Sequence, residues 1–149
     1  MPGDARDPAD ILASPELTSV IDTSKPFCVI LSMILNFVAP EQAAPIMATF
    51  RDAMPDGSFL ALTIGINDDA PDLARDYIKA YSPAALVHLH SREQIAGYFT
   101  GMQIVEPGLI EARHWRPPQP AETAHRPADA LAGLGRKAGP DGEADGLVA

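Results

Sequence analysis

The chain has 149 residues, 46% of them hydrophobic, which suits one domain with an apolar core and excludes wholesale disorder. Its formal net charge of −9 argues against nucleic-acid binding, because the field of the protein would repel the phosphate backbone. The apolar run at residues 25–38 is too short to cross a bilayer, and the acidic N-terminus has no signal-peptide pattern. We therefore expect a cytoplasmic protein with neither a nucleic-acid nor a membrane partner.

The first predicted elements are helical. Asp7 can act as an N-cap, and Pro8 suits the first position of a helix. Ser14 and Pro15 repeat the same pattern seven residues later. The segment therefore predicts either two short helical turns or one broken helix, and both alternatives stay open.

The stretch KPFCVILSMILNFV, residues 25–38, is apolar on both faces when it is read at the period of a strand. This pattern predicts a central strand of a parallel sheet that helices cover from above and below. Cys28 is the chain's one cysteine, so it cannot form an internal disulfide, and we expect it to be a small core residue.

The middle of the chain alternates helices and strands. Residues 40–57 predict a helix with one buried stripe, which contains Ile46, Met47, Phe50 and Met54. Residues 58–66, SFLALTIGI, predict a second strand that is apolar on both faces, and residues 71–82 predict a third helix. This order predicts an α/β fold with a mostly parallel sheet.

The last third of the chain predicts one more helix and two strands. Ser91 and Gln94 form a capping-box pattern at the start of the helix. Residues 102–115 predict a strand that is interrupted near Pro107 and Gly108, and ALAGLGRK at residues 130–137 predicts a final short strand. We expect residues 138–149 to be a disordered tail.

Residue chemistry alone gives few candidates for a site. His88 and His90 lie one pleat apart on a predicted strand, but no further ligands stand at a recognisable spacing, so we predict no metal site. The segment NDDAPD at residues 67–72 follows the second strand, at the sheet edge where α/β proteins bind ligands; a solvated loop explains it as well. Asn36 ends the first apolar run and is the better candidate, although a simple strand-end turn would also account for it.

Five stretches together resemble the bacterial S-adenosylmethionine-dependent methyltransferase family first catalogued as a domain of unknown function. They are GDARDPADIL, LNFV, DAMPDGSFLALT, SREQIAGYFTGMQIVEPGLIEARHWRP and AGLGRK. The resemblance runs from about Gly3 to Lys137, and its most specific part begins at Gly97 with GYFTGMQIVEPGLI.

The resemblance implies a partial Rossmann-like class I methyltransferase fold. The family has a sheet in the order 3-2-1-4-5-7-6, and this chain matches strands four to seven with their intervening helices. Residues 1–137 are thus expected to form the C-terminal part of a methyltransferase domain. The cofactor-binding strands one to three would precede Gly3, and we interpret their absence as truncation or a late start codon.

Two consequences follow for stability. The fourth strand becomes a long apolar edge without its usual partner, the first strand, which invites pairing with another chain. One face of the sheet also loses its helices, and leaving four or five large apolar side chains bare forfeits on the order of 10 kcal/mol. We therefore expect a homodimer or a complex with a separate N-terminal half.

The resemblance also implies site residues. Asp4 matches an acidic residue that is expected to hold the adenine amino group of S-adenosylmethionine, with Ala5 and Arg6 beside it. Ser32 and Met33 match the end of strand four, which lines the cofactor. Asn36, on the substrate side, stands where the family often has histidine, and His90 stands where it often has arginine.

The reaction implied is methyl transfer from S-adenosylmethionine to an unidentified small-molecule acceptor. Methyl transfer mainly requires alignment of the nucleophile with the methyl group, so the sequence names no catalytic residue. We expect the chain alone to be inactive. The alternative is a non-catalytic remnant or interaction module that pairs through its exposed fourth strand.

Overall fold

The computed structural model describes residues 3–66, 87–117 and 130–139. The segment NDDAPD, the helix predicted at residues 71–82 and nearly all of the predicted tail lie outside these residues, so those three remain predictions. The helices are α1 Pro8–Ala13, α2 Pro15–Thr18, α3 Pro40–Ala53 and α4 Arg92–Gly97. The strands are β1 Cys28–Ser32, β2 Phe59–Ile64, β3 Met102–Ile104, β4 Ile110–Glu111 and β5 Leu131–Lys137. Two 3-10 turns cover Leu35–Phe37 and Ala112–His114.

The strands form one mixed sheet in the order β1-β2-β5-β3, with β4 paired to β5. This is the order 4-5-7-6 that the family resemblance implies, and the α/β class is confirmed. The expected mostly parallel sheet is confirmed for the described strands, because β1 runs parallel to β2 and only β5 is reversed, lying antiparallel to its three neighbours β2, β3 and β4. An antiparallel strand needs no helical crossover, and the short ALAGLGRK pattern carries no information on direction.

The helix starts follow the capping residues in the sequence. Asp7 accepts a hydrogen bond from the Asp10 N–H, and Ser14 accepts one from the Leu17 N–H. Because Ser14 ends α1 and caps α2, the segment forms two short helices. The capping box at the start of α4 is confirmed, because the Ser91 hydroxyl accepts the Gln94 N–H and the Gln94 side chain accepts the Ser91 N–H.

One face of the sheet, here called the covered face, carries the core. Along β2, buried residues that point to the covered face alternate with half-buried residues that point to the other face. The apolar stripes of α3 and α4 pack against the covered face. The buried members of the core include Ile46, Met47, Phe50, Met54, Leu60, Leu62, Ile64, Ile95, Tyr98, Phe99 and Leu131. Gly133 and Gly135 of β5 leave room for the Phe99 ring, since a Cβ on Gly135 would lie 2.8 Å from Phe99 Cδ1.

The other face, here called the open face, carries Ile30 of β1, which is 70% exposed. Helices on both sides of this strand were expected, and that prediction is wrong for the described part of the chain. Cys28 faces the same way and is exposed, so its expected place in the core is also wrong. β1 is shorter than predicted, because Met33 adopts a left-handed φ of 57° and turns the chain out of the sheet after Ser32.

Within the three described segments, no helix has the length and apolar content that a membrane span requires.

Candidate functional site

The site begins where β1 ends. Met33, the residue after β1, donates its backbone N–H to the carbonyl of Thr63 in β2, 2.9 Å away. The 3-10 turn Leu35–Phe37 follows at the carboxyl end of the parallel pair, where open α/β sheets bind ligands. Within this turn Leu35 is fully buried, whereas Phe37 stays 52% exposed. A non-glycine residue in a left-handed conformation is costly, and such residues cluster at functional sites.

Asn36 holds this turn against its neighbours. Its side-chain oxygen accepts the Gly65 N–H at 3.1 Å, and its side-chain nitrogen donates to the His88 carbonyl at 3.1 Å. Its own backbone carbonyl accepts the His88 N–H at 2.7 Å. The residue is only 4% exposed, and its amide joins the turn to Gly65, just after β2, and to His88. The substrate-side role expected of Asn36 stays a prediction.

The side chain of His90 contacts the same turn through the backbone carbonyls of Leu35 and Val38. Its Nε2 lies 3.0 Å from the Leu35 carbonyl and 3.2 Å from the Val38 carbonyl. Its Nδ1 lies 2.6 Å from the Tyr98 hydroxyl. The imidazole is fully buried, and burial lowers the pKa of His90 below its ordinary value. Burial also raises the pKa of Tyr98 to about 12, so this phenol stays protonated.

The N-terminal segment approaches the turn from the other side. Arg6 donates from Nε and Nη2 to both carboxylate oxygens of Asp4, at 2.7–3.1 Å. These hydrogen bonds lower the pKa of Asp4 to about 2, so the carboxylate is ionised at any physiological pH. Both side chains are more than half exposed, which leaves the outer lone pairs of Asp4 accessible to a ligand.

A groove of about 650 Å³ lies between these two segments. Its lining residues are Gly3, Asp4, Ala5, Arg6, Ile34, Phe37 and Val38. The structure thus brings the predicted residues Asp4, Ala5 and Arg6 together with three apolar side chains that the sequence reasoning missed. The polar break at Asn36 within an apolar run was the one signal that marked this turn.

Ser32 and Met33 lie near the groove but are not among its lining residues. The Ser32 hydroxyl is 3.0 Å from the Thr63 hydroxyl on the open face, where both residues line a second hollow of about 200 Å³ with Ile30 and Trp115. Met33 is 43% exposed at the end of the strand. The cofactor-lining role of Ser32 and Met33 stays a prediction.

Among the described residues, no group of three or more His, Cys, Asp or Glu side chains is placed to hold a metal ion. Both ring nitrogens of His90 already have protein partners, and His88 supplies backbone groups to Asn36.

A mixed α/β sheet with a groove at the carboxyl end of its edge strand is the arrangement of Rossmann-like ligand-binding domains. Comparison with protein families is more specific. The profile of the S-adenosyl methyltransferase family matches residues 1–138, and the chain belongs to that family. No curated protein matches the chain.

Solved structures agree with this assignment. A DUF574-family protein from Streptomyces avermitilis is 28% identical with a TM-score of 0.81, covering 91% of this chain and 53% of its own. A methyltransferase candidate from Thermobifida fusca is also 28% identical with a TM-score of 0.81, covering 92% of this chain and 53% of its own. The chain therefore spans about half the length of these relatives. A methyltransferase from Methanosarcina mazei shares the fold alone, at 13% identity and a TM-score of 0.53 over 78% of this chain and 61% of its own.

The family implies S-adenosylmethionine, and the groove can be tested against its parts. Phe37 and Ile34 offer exposed apolar surface for a flat base, and Asp4 offers an ionised acceptor for an exocyclic amino group. The lining contains no further anion, and its one cation, Arg6, is paired with Asp4. The residues present therefore fit the nucleoside end of the cofactor. A charged amino-acid end would need partners from outside this lining.

Proposed function

We propose that the chain forms the C-terminal portion of an S-adenosylmethionine-dependent methyltransferase that acts on a small-molecule acceptor. The observation that carries the proposal is the groove between Asp4–Arg6 and Ile34–Val38, at the carboxyl end of β1. In the complete site the bound cofactor supplies an activated methyl group on its sulfonium, so the protein has mainly to align it and exclude water. The acceptor class rests on the family resemblance.

Each residue has a distinct part in this proposal. Asp4 accepts a hydrogen bond from the adenine amino group, and Arg6 holds that carboxylate in place. Phe37 and Ile34 pack against the base. Ser32 and Met33 lie beside the cofactor, and Asn36, whose amide joins the turn to Gly65 and His88, lies on the acceptor side.

The groove predicts an unusual ligand preference. Because its lining fits only the nucleoside end, adenosine and S-adenosylhomocysteine should bind this chain with similar affinity in a calorimetric titration. Comparable weak dissociation constants for the two ligands would support the proposal. Binding of S-adenosylhomocysteine that is a hundredfold tighter than adenosine would contradict it, because the chain would then hold the amino-acid end as well.

Replacing Phe37 with alanine should weaken adenosine binding about tenfold, because an aromatic platform under a base contributes roughly 1–3 kcal/mol. Ile104→Ala is the matched control, since Ile104 is a similarly exposed apolar residue (43%) on β3, outside the groove lining. The same titration measures both. Equal losses in the two variants would show that the groove is not the binding site.

A second candidate function is an interaction module that pairs through β1. The observation that favours it is the apolar open face beside a strand that has one neighbour, β2, among the described strands. Either a second copy of this chain or a separate N-terminal half would cover this surface in the proposal. Sedimentation velocity tests the second copy as the occupant, because a self-pairing module should be dimeric at micromolar concentration without ligand.

Replacing Ile30 with lysine should reduce self-association of the chain at least tenfold. The side chain is 70% exposed on the edge strand, and lysine on an edge opposes strand pairing. Val20→Lys is the control, because Val20 is 82% exposed and lies before β1. Ile34 is not used for this purpose because it lines the groove. The sedimentation coefficients of the unaltered chain, Ile30→Lys and Val20→Lys are compared over a range of concentrations. The same dependence on concentration in all three would rule out pairing through β1.

A further inference from the structure

The turn that forms one wall of the groove has little support of its own. It contains three residues in 3-10 conformation, and no side chain caps its N-terminus. Inside the turn, the Val38 N–H bonds to the Leu35 carbonyl at 3.0 Å and the Phe37 N–H bonds to the Ile34 carbonyl at 3.1 Å. Short 3-10 segments have poorer hydrogen-bond geometry than α-helices, so the position of the Phe37 ring depends on what anchors this turn.

The anchor under the turn is His90. Its Nε2 faces the carbonyls of both Leu35 and Val38, which accept hydrogen bonds and cannot donate them. Nε2 must therefore carry the hydrogen, so in the neutral ring Nδ1 is an acceptor. The Tyr98 hydroxyl supplies the matching donor at 2.6 Å, with its ring edge-on to the imidazole at 5.8 Å between centroids. The histidine thus holds one tautomer and bridges the turn to the end of α4.

We propose that His90, fixed in its Nε2–H form by Tyr98, is a positioning residue that sets the wall of the nucleoside groove. The inference rests on the proposed function, because the groove is where the ligand would bind. His90 touches no ligand in this account. It acts through the backbone of the turn that carries Phe37 and Val38, while Asn36 fixes the other side of the same turn.

The network also gives the groove a direction of pH dependence. A proton on His90 would have to enter at Nδ1, against the hydrogen that Tyr98 donates. Burial is the largest influence on the pKa of His90 and lowers it from 6.5, whereas the hydrogen bonds to the Leu35 and Val38 carbonyls raise it. The charges of two nearby groups have smaller effects, since His88 lowers this pKa and Glu41 raises it. Because the unfolded chain takes up this proton first, the stability that neutral His90 contributes is present above pH 6.5. It is lost as the pH falls below that value.

The test uses the full chain, adenosine as the probe, and amide hydrogen exchange at Phe37 and Val38 as a readout that needs no ligand. His90→Leu removes the donor and leaves two buried carbonyls without it, so adenosine affinity should fall roughly tenfold and the two amides should exchange faster. His90→Gln keeps an N–H near the Nε2 position and should restore most of both. Tyr98→Phe frees Nδ1, so the acid limb of the binding profile between pH 5 and 8 should move to higher pH.

Met54→Ala is the control for simple loss of stability, because Met54 is buried (2% exposed) beyond the amino end of β2, at the opposite end of the strand from the turn. It should change neither the affinity nor the exchange at Phe37 and Val38. Equal effects from Met54→Ala and His90→Leu, or no effect from His90→Leu, would overturn the positioning role. If the unaltered chain binds no adenosine, the proposed function fails, and the exchange rates still decide whether His90 holds the turn.

Discussion

Replacing Asn36 with leucine is expected to lower the free energy of unfolding by about 2–4 kcal/mol. The leucine is similar in size, but it leaves the Gly65 N–H and the His88 carbonyl without the partners that the Asn36 amide provides. A buried polar group left unsatisfied costs about 1–3 kcal/mol. The Gly65 N–H is buried but the His88 carbonyl is only partly buried, so we expect the two losses together to stay within about 2–4 kcal/mol. Urea denaturation followed by circular dichroism measures the change.

Gln103→Leu is the control for the same polar-to-apolar change at an exposed position of β3, where we expect a shift within about 0.5 kcal/mol. An Asn36→Leu protein as stable as the unaltered chain would mean that the two backbone groups find other partners. Asn36 would then be free for the substrate-side role that the family resemblance implies.

Replacing Gly135 with alanine is expected to destabilise the chain by about 1–3 kcal/mol, because it overpacks a filled core. The new Cβ would lie 2.8 Å from Phe99 Cδ1 and 3.2 Å from both Cβ and Sδ of Met102. The Phe99 ring is 3% exposed and also lies close to Gly133, where an added Cβ would be 3.2 Å from Phe99 Cζ, so it has little space into which it can move. Thermal unfolding should show the loss as a lower midpoint.

Gly97→Ala is the matched control, because a Cβ there meets nothing within 4 Å and the residue is in the last turn of α4. Alanine is a better helix former than glycine, so this variant should be equally stable or gain up to about 1 kcal/mol. Similar midpoints for Gly97→Ala and Gly135→Ala would show that β5 does not pack against Phe99 as closely as described.

The sequence predicted the elements whose side chains repeat regularly. The stripe of Ile46, Met47, Phe50 and Met54 predicted α3, and all four side chains are buried. The capping box at Ser91 located the start of α4. Periodicity could not locate the end of β1, because a run of apolar residues looks the same whether it continues as a strand or turns at Met33. For the same reason it could not show that Cys28 and Ile30 face outward on an uncovered side of the sheet.

The candidate site was only half predictable, since its two walls are distant in the chain. The resemblance pointed to Asp4, Ala5 and Arg6, but their meeting with Ile34 and Phe37 depends on how α1 packs against α3. His90 was considered as a metal ligand because VHLH places two histidines on one face. Its actual partners are two carbonyls and a tyrosine hydroxyl, which become visible once α4 and the turn after β1 are both in place.

The most direct test of the groove as a nucleoside site is a nitrogen–proton correlation spectrum of the labelled chain during titration with S-adenosylhomocysteine. We predict that the largest saturable shifts occur at Ala5, Arg6, Phe37 and Val38, with little change on β3. Shifts that concentrate elsewhere, or a spectrum of the folded chain that does not change at millimolar ligand, would contradict the assignment of this groove to the cofactor.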